Sequence, residues 1–216
     1  MPHHPLYFSG DLEASGPVAP IYTMLSVGFC TLDEKNPDTF YVELKPITTA
    51  HDIDAMRIGC RGLSVVTARA GDPLFDTYGD RFDPVAVLAE LEVTGEHPIV
   101  AMQRLAQWVE TVTTKRTGTP RAVYRPSSFE SSFLPYYFHA FADGNPFGHS
   151  AEDANSYLRG ALGDPNASYN KLRSDKHAPL THHALEDALE QASGFREILK
   201  LAKENRIRRE LRHPTR

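Results

Sequence analysis

Apolar and polar positions along this chain follow two different rhythms. In the first fifty residues the apolar positions come in short runs: Pro5-Leu-Tyr-Phe-Ser9, Met24-Leu-Ser-Val-Gly-Phe-Cys30 and the alternating Thr39-Phe-Tyr-Val-Glu-Leu-Lys-Pro46. Runs of this length, rich in aromatic and β-branched residues and bounded by turn formers, predict strands. The boundaries are Gly16-Pro17 and Asn36-Pro37, pairs that punctuate rather than continue an element. Three strands joined by short connections predict an antiparallel meander. From residue 98 the rhythm changes to the helical period. Ile99, Met102, Leu105, Ala106, Val109 and Val112 share one face over 98–114. Leu185, Ala188, Leu189, Ala192, Ile198, Leu199 and Ala202 line another face. That last helix is expected to open near Thr181 as its N-cap, with Gly194 as a candidate interruption. Between the two helices, Pro120-Arg-Ala-Val-Tyr-Arg125 predicts a fourth strand, and the aromatic-rich stretch from Phe129 to Phe141 another helix. Residues 47–98, where Gly, Pro and Asp recur, are expected to be loops and short helices, the clearest being Pro84 to Leu91.

Strands first, then helix and strand in alternation, predict an α/β fold with a mixed β-sheet flanked by helices. The length of 216 residues suits a single domain over 1–216. No run of apolar residues is long enough to span a bilayer, and the N-terminal Met1-Pro-His-His-Pro5 lacks the features of a secretory signal. Two cysteines, Cys30 and Cys60, make neither a disulfide framework nor a zinc cluster and are expected to be reduced thiols of a cytoplasmic protein. The net charge of −5 is unevenly spread. Residues 199–216 hold seven Lys/Arg against two Asp/Glu, so a basic C-terminal helix or tail from about 199 closes an acidic body. Such a tail can touch phosphate, although a solvated helix end is the commoner role for one.

The candidate chemistry lies in acids that the strand pattern brings forward. Asp11 and Glu13 stand at i and i+2, hence on one face of a strand. Two carboxylates side by side repel unless a cation lies between them, and oxygen ligands suit Mg²⁺ or Mn²⁺. Alone the pair is a weak motif, equally at home in a solvated turn. It gains weight from Glu130, just after the fourth predicted strand, and from Thr181-His-His-Ala-Leu-Glu-Asp-Ala188, which opens the last helix with histidines and Asp187. Acids that follow two predicted strands and open a helix, with a histidine beside them, are the equipment of phosphodiester hydrolysis with two metal ions.

The three segments Asp11-Leu-Glu13, Phe129-Glu-Ser-Ser-Phe-Leu134 and His182-His-Ala-Leu-Glu-Asp187, in this order, resemble the DEDDh-type 3′→5′ exonucleases of the ribonuclease H-like superfold. Phe40-Tyr-Val-Glu-Leu-Lys-Pro46 and Asn145-Pro-Phe-Gly-His-Ser-Ala151 extend the resemblance to a bacterial, uncharacterised exonuclease-like branch, while residues 50–95 add little. The resemblance implies two ions per site. Asp11 is implied to bridge both, Glu13 and Asp187 to help hold the first, Glu130 to help hold the second, and His182 to act as general base. Glu130 departs from the family, which has Asp there. The charge is kept and the reach grows by one methylene, which a water-mediated contact can accommodate or which can misplace an ion and weaken the enzyme. His183 and Asp187 are i and i+4 and would share a helix face, so His183 is the fallback base if the helix starts early. The implied partners are single-stranded DNA or RNA 3′ ends, with no membrane, and a symmetric homodimer is the commonest oligomer in general. Ser15, Met24 and Leu25 fall where relatives wedge against the terminal nucleotide and are candidate substrate contacts.

Other residues carry blander expectations. Asp153 is expected to cap a helix or accept a buried hydrogen bond, and His149 to be structural. Trp108, on the 98–114 helix, belongs to the core. Tyr136, Tyr137, Phe138 and Phe141 could stack on bases, but their helical spacing favours packing. No phosphate-binding glycine loop and no G-x-S-x-G nucleophile elbow occurs. Two further readings share the same site: a binding protein that keeps the fold with little catalysis, and a phosphodiesterase for dinucleotides with a short closed pocket.

Overall fold

The computed structural model describes residues 4–172 and 180–212. Strand β1, Pro5–Ala14, lies at the centre of a five-stranded sheet. On one side it pairs antiparallel with β2, Met24–Thr31, which pairs antiparallel with β3, Thr39–Glu43. On the other side it pairs parallel with β4, Thr119–Tyr124, which pairs parallel with β5, Ala151–Asp153. The order β3-β2-β1-β4-β5 makes β1 the strand at which the antiparallel meander meets the parallel half. The carboxylate pair is therefore not in a turn after the strand but inside it. Asp11 sits opposite Gly28 and Glu13 opposite Ser26.

The β3–β4 connection holds α1 (Ile53–Gly59), α2 (Ser64–Thr67), α3 (Pro84–Thr94) and α4 (Pro98–Arg116). Asp52 caps α1 and Asp83 caps α3, each accepting an N–H of the first turn. After β4 come α5 (Ser127–Phe141), then β5, α6 (Ala154–Leu162), α7 (Tyr169–Leu172) and α8 (Ala184–Arg212). The main core lies on the sheet face covered by α4 and α5. Phe8, Leu12 and Phe29 pack there against Met102, Leu105, Phe133 and Tyr137. Trp108 joins this core edge-on to Phe8, 5.5 Å between ring centres. Tyr137 and Phe138 are fully buried, and the Tyr137 hydroxyl accepts the N–H of Met24 at 2.8 Å.

The opposite face of the sheet takes α8. Its contacts are small: Ala184, Ala188 and Ala192 are buried, and the Cys30 thiol donates to the Ala188 carbonyl. A Cβ on Gly28 would come within 2.3 Å of the Leu185 nitrogen, so glycine is what lets the helix start this near to β2. Gly194 does not interrupt α8, because the helix runs through it. A side chain there would meet Tyr169, whose hydroxyl lies 1.8 Å from where the Cβ would sit. Two expectations about helix starts change. Thr181 is not the N-cap of α8, since His182 has φ of 56° and the chain turns once more before helix begins at Ala184. Asp153 does cap α6 through Ser156, and it also accepts the N–H of Ser127 at the head of α5. The basic stretch forms the end of α8 as far as Arg212, and its last residues, 213–216, lie outside the described part. No helix among the described residues is long and apolar enough to cross a membrane.

Candidate active site

On β1, Ser9, Asp11 and Glu13 alternate onto the face that meets α8. Gln191 fixes the height of the helix there. Its side-chain amide donates to the Ser9 hydroxyl (2.9 Å), the Gly10 carbonyl (3.2 Å) and the Val123 carbonyl of β4 (2.9 Å). Asp187 lies one turn earlier on α8, level with the next residues of β1. Sequence reasoning missed Gln191, although its i+4 spacing from Asp187 is the available signal.

Asp187 also organises the loop ahead of its own helix. One carboxylate oxygen accepts the N–H of Thr181 and the other the N–H of His182, both at 3.0 Å. The His182 carbonyl in turn accepts the N–H of Gly62 at 3.2 Å, which ties this loop to the chain after α1. The His182 ring then comes to the acids, with Nδ1 3.8 Å from a Glu13 oxygen. Glu13, His182 and Asp187 each offer one ligand atom, and the three atoms lie within 4.8 Å of one another. His183 turns away. Its ring stacks on Tyr41 at 4.2 Å, and its Nδ1 faces the N–H of Glu186 in the first turn of α8.

Glu130 enters from the first turn of α5. It is 2% exposed, and its Oε2 is buried without a hydrogen-bond partner. Burial pushes its carboxyl up to about 8, and the Asp153 carboxylate adds to the rise. Asp11 is held well above the ordinary carboxylate range by loss of solvent, then by Glu130 and Asp187, with Arg125 opposing. Glu13 is raised by burial, then by Asp11, Asp187 and Glu130, with Arg61 opposing. Glu130 and Asp187 thus raise both acids of β1, and Asp11 raises Glu13 as well. His182 moves the other way: burial lowers its pKa and Arg61 lowers it further, against Asp187. A divalent cation would offset this repulsion, because it supplies positive charge to oxygens that raise one another, and the unpartnered Oε2 of Glu130 is a donor suited to one.

Ser15, Met24 and Leu25 lie beneath the site rather than at its surface. All three are fully buried. The Ser15 hydroxyl donates to the Ala50 carbonyl and accepts the N–H of Thr23, Met24 sits in the main core, and Leu25 packs with Met56, Leu63 and Leu91 under α1 and α3.

No protein-family model matches the chain. It is 33% identical over 211 residues to the 3′-5′ DNA exonuclease Cap18 of Escherichia coli, covering 94% of this chain and 97% of that protein. Among solved structures, a 3′-exonuclease that specifically recognises the 3′ end of the histone mRNA stem-loop superposes with a TM-score of 0.61 at 12% identity. That match covers 92% of this chain and 64% of the other. The zinc-bound complex of E. coli ExoI with single-stranded DNA superposes with a TM-score of 0.52 at 13% identity, over 98% of this chain and 41% of that one. These remote likenesses concern the fold, a ribonuclease H-like mixed sheet flanked by helices.

Proposed function

Because the chain belongs to the DEDDh-type family of 3′→5′ exonucleases, we propose that it hydrolyses the last phosphodiester at the 3′ end of a nucleic acid strand, releasing nucleoside monophosphates, with two Mg²⁺ or Mn²⁺ ions as cofactors. The observation that carries this reading is the meeting of Glu13, His182 and Asp187 within 4.8 Å, with two further buried acids, Asp11 and Glu130, held above their ordinary range chiefly by loss of solvent. Asp11, Glu13, Asp187 and Glu130 would hold the ions. When bound, the ions stabilise the charge on the attacking and leaving oxygens. His182 is the general base. Its lowered pKa keeps the ring neutral near pH 7, so a ring nitrogen is free to take a proton from the attacking water. Asp187 holds its loop in place through the His182 N–H. His183, stacked on Tyr41, has a packing role instead. DNA is the preferred substrate by likeness to the relative that shares a third of the sequence. The two buried, free thiols suit a reducing compartment such as the cytoplasm.

The extra methylene of Glu130 bears on how fast such an enzyme runs. The side chain is enclosed rather than splayed into solvent, its Oε2 is buried without a partner, and its charge reaches Asp11, which favours a working ligand over a relic. The test is a cleavage assay with 3′- and 5′-labelled single-stranded DNA and RNA, with Mn²⁺ or Mg²⁺, on the wild type, Asp11→Ala and Glu130→Asp. Metal-dependent shortening from the 3′ end, absent in Asp11→Ala, is expected. A silent wild type with an active Glu130→Asp would mean that this position disables the chemistry. Silence from both would overturn the exonuclease reading in favour of a binding protein.

A further inference from the structure

A cation and an aromatic ring stand together at the edge of the site, outside the acids and histidine already described. The C-terminal end of α1 runs along the carboxylates: a Cβ on Gly59 would lie 3.1 Å from a Glu13 oxygen, and Gly62 bonds the His182 carbonyl. Arg61 lies between these two contacts. Its Nε donates to the Arg57 carbonyl at 3.1 Å, and its guanidinium lies over the Tyr78 ring, 4.6 Å from the centre. Among the described residues no carboxylate pairs with it and its two terminal nitrogens have no hydrogen-bond acceptor. Its charge nevertheless reaches Glu13 and His182. Arg57, one turn earlier, is engaged through one terminal nitrogen. It bonds the carbonyls of Thr77 (2.8 Å) and Gly79 (3.0 Å) and lies over Phe82, pinning to α1 the loop that carries Tyr78. Asp76 accepts the Tyr78 N–H, so the ring is displayed at the tip of a turn, and it is 75% exposed.

A large ring this exposed has no packing role, and an arginine fork with idle donors beside a cluster of acids is not stabilising that cluster by direct contact. Both have the chemistry of a single nucleic acid strand, which presents phosphate oxygens to guanidinium and base faces to aromatic rings. We propose that Arg61 and Tyr78 form a strand-seating subsite next to the reacting bond, Arg61 holding a backbone phosphate and Tyr78 stacking on an adjacent base. The proposal rests on the exonuclease reading for what passes through the site. Its chemistry makes it a sequence-tolerant subsite, because every base offers a face and every nucleotide a phosphate.

The experiment measures equilibrium binding of a labelled single-stranded DNA oligonucleotide in Ca²⁺ across a salt series, on the wild type, Arg61→Gln, Arg61→Lys, Tyr78→Ala and Asp11→Ala. Hydrolysis of the same strand and of thymidine 5′-(p-nitrophenyl phosphate), which lacks a second phosphate and base, is measured in Mn²⁺. Arg61→Gln is expected to weaken strand binding and reduce the slope of log K against log salt by about 0.7, the value of one lost phosphate contact on a single strand. Arg61→Lys should restore the slope in large part. Tyr78→Ala should weaken binding at least about fivefold, the lower end of base stacking, with the slope unchanged. Both variants should raise KM on the strand, and Tyr78→Ala should leave hydrolysis of the small ester within about twofold of wild type, while Arg61→Gln should lose more on the strand than on the ester. Equal losses on strand and ester, or unchanged strand binding and salt slope, would overturn the subsite. A wild type that binds the strand through Arg61 yet hydrolyses neither substrate would sink the nuclease reading and leave the subsite standing.

Discussion

The Asp187 carboxylate accepts the backbone N–H of His182 at 3.0 Å, so one side chain of α8 fixes the loop that carries the histidine while also standing among the acids. Position and charge can be separated experimentally. Asp187→Asn keeps one oxygen for the two N–H groups and loses the charge, whereas Asp187→Ala loses both. Activity should fall at least about 100-fold in each, in the range expected for a disturbed general base. Urea unfolding in chelator should show Asp187→Ala less stable by about 1.5–3 kcal/mol, the usual worth of hydrogen bonds to a charged group. Wild-type activity in Asp187→Asn would remove Asp187 from the site.

The two adjacent histidines should behave differently. His182→Ala is expected to lower kcat about 10²–10⁴-fold with little change in stability. His183→Ala should keep activity within a few-fold and lose roughly 0.5–1 kcal/mol of stability, as the Tyr41 stack and the contact with the first turn of α8 disappear. Steady-state kinetics and thermal melts on the two proteins decide it, and the reverse pattern would hand the role of base to His183.

Metal-free stability should fall as the pH rises. Glu130 has an ordinary value of 4.5 and a folded value of about 8. The fold therefore keeps a proton that the unfolded chain gives up, and stability declines across the window between those two values. Asp11 and Glu13 are shifted in the same direction. In EDTA the melting temperature should be higher at pH 6 than at pH 8, at about 2–4 °C for each kcal/mol. Glu130→Gln should flatten the slope, and Mn²⁺ at pH 8 should recover the loss. A metal-free melt that rises between pH 6 and pH 8 would contradict the assigned direction.

Gly194→Ala should destabilise the protein by roughly 1–3 kcal/mol, the common range for overpacking, because the new methyl would meet the Tyr169 ring. In the Tyr169→Ala background the same substitution should cost markedly less, and a double-mutant cycle by urea unfolding measures the coupling. Additive losses would show that the two sites do not meet.

What the sequence reveals follows from how strongly each element is patterned. β1, β2, β3, β4, α4 and α8 bury one face or both over many residues, so the apolar period declares them. β5 has three residues, none buried, and gives no rhythm to read. α1 and α2 are seven and four residues long, too short for a stripe, although Asp52 before α1 is a capping signal that was there to be used. The acids and His182 stand out in the sequence because the motif they resemble fixes residue type and order. Arg61, Tyr78 and Gln191 were not, because each gains its meaning from a partner distant in the chain: Tyr78 from the α1 arginines, Gln191 from Ser9. The start of α8 was misplaced because a positive φ at His182 adds a turn that no residue type announces.

The bond from Gln191 to Ser9 spans 182 positions of the chain. β1 carries two of the acids, yet the helix that brings the fourth, α8, is the last element among the described residues. A chain emerging from the ribosome therefore exposes Asp11 and Glu13 long before it acquires His182 and Asp187. Any product cut short ahead of Thr181 loses the histidine, the acid and the glutamine latch at once. The order of synthesis alone thus keeps the acids of β1 apart from the histidine and acid of α8 in incomplete copies.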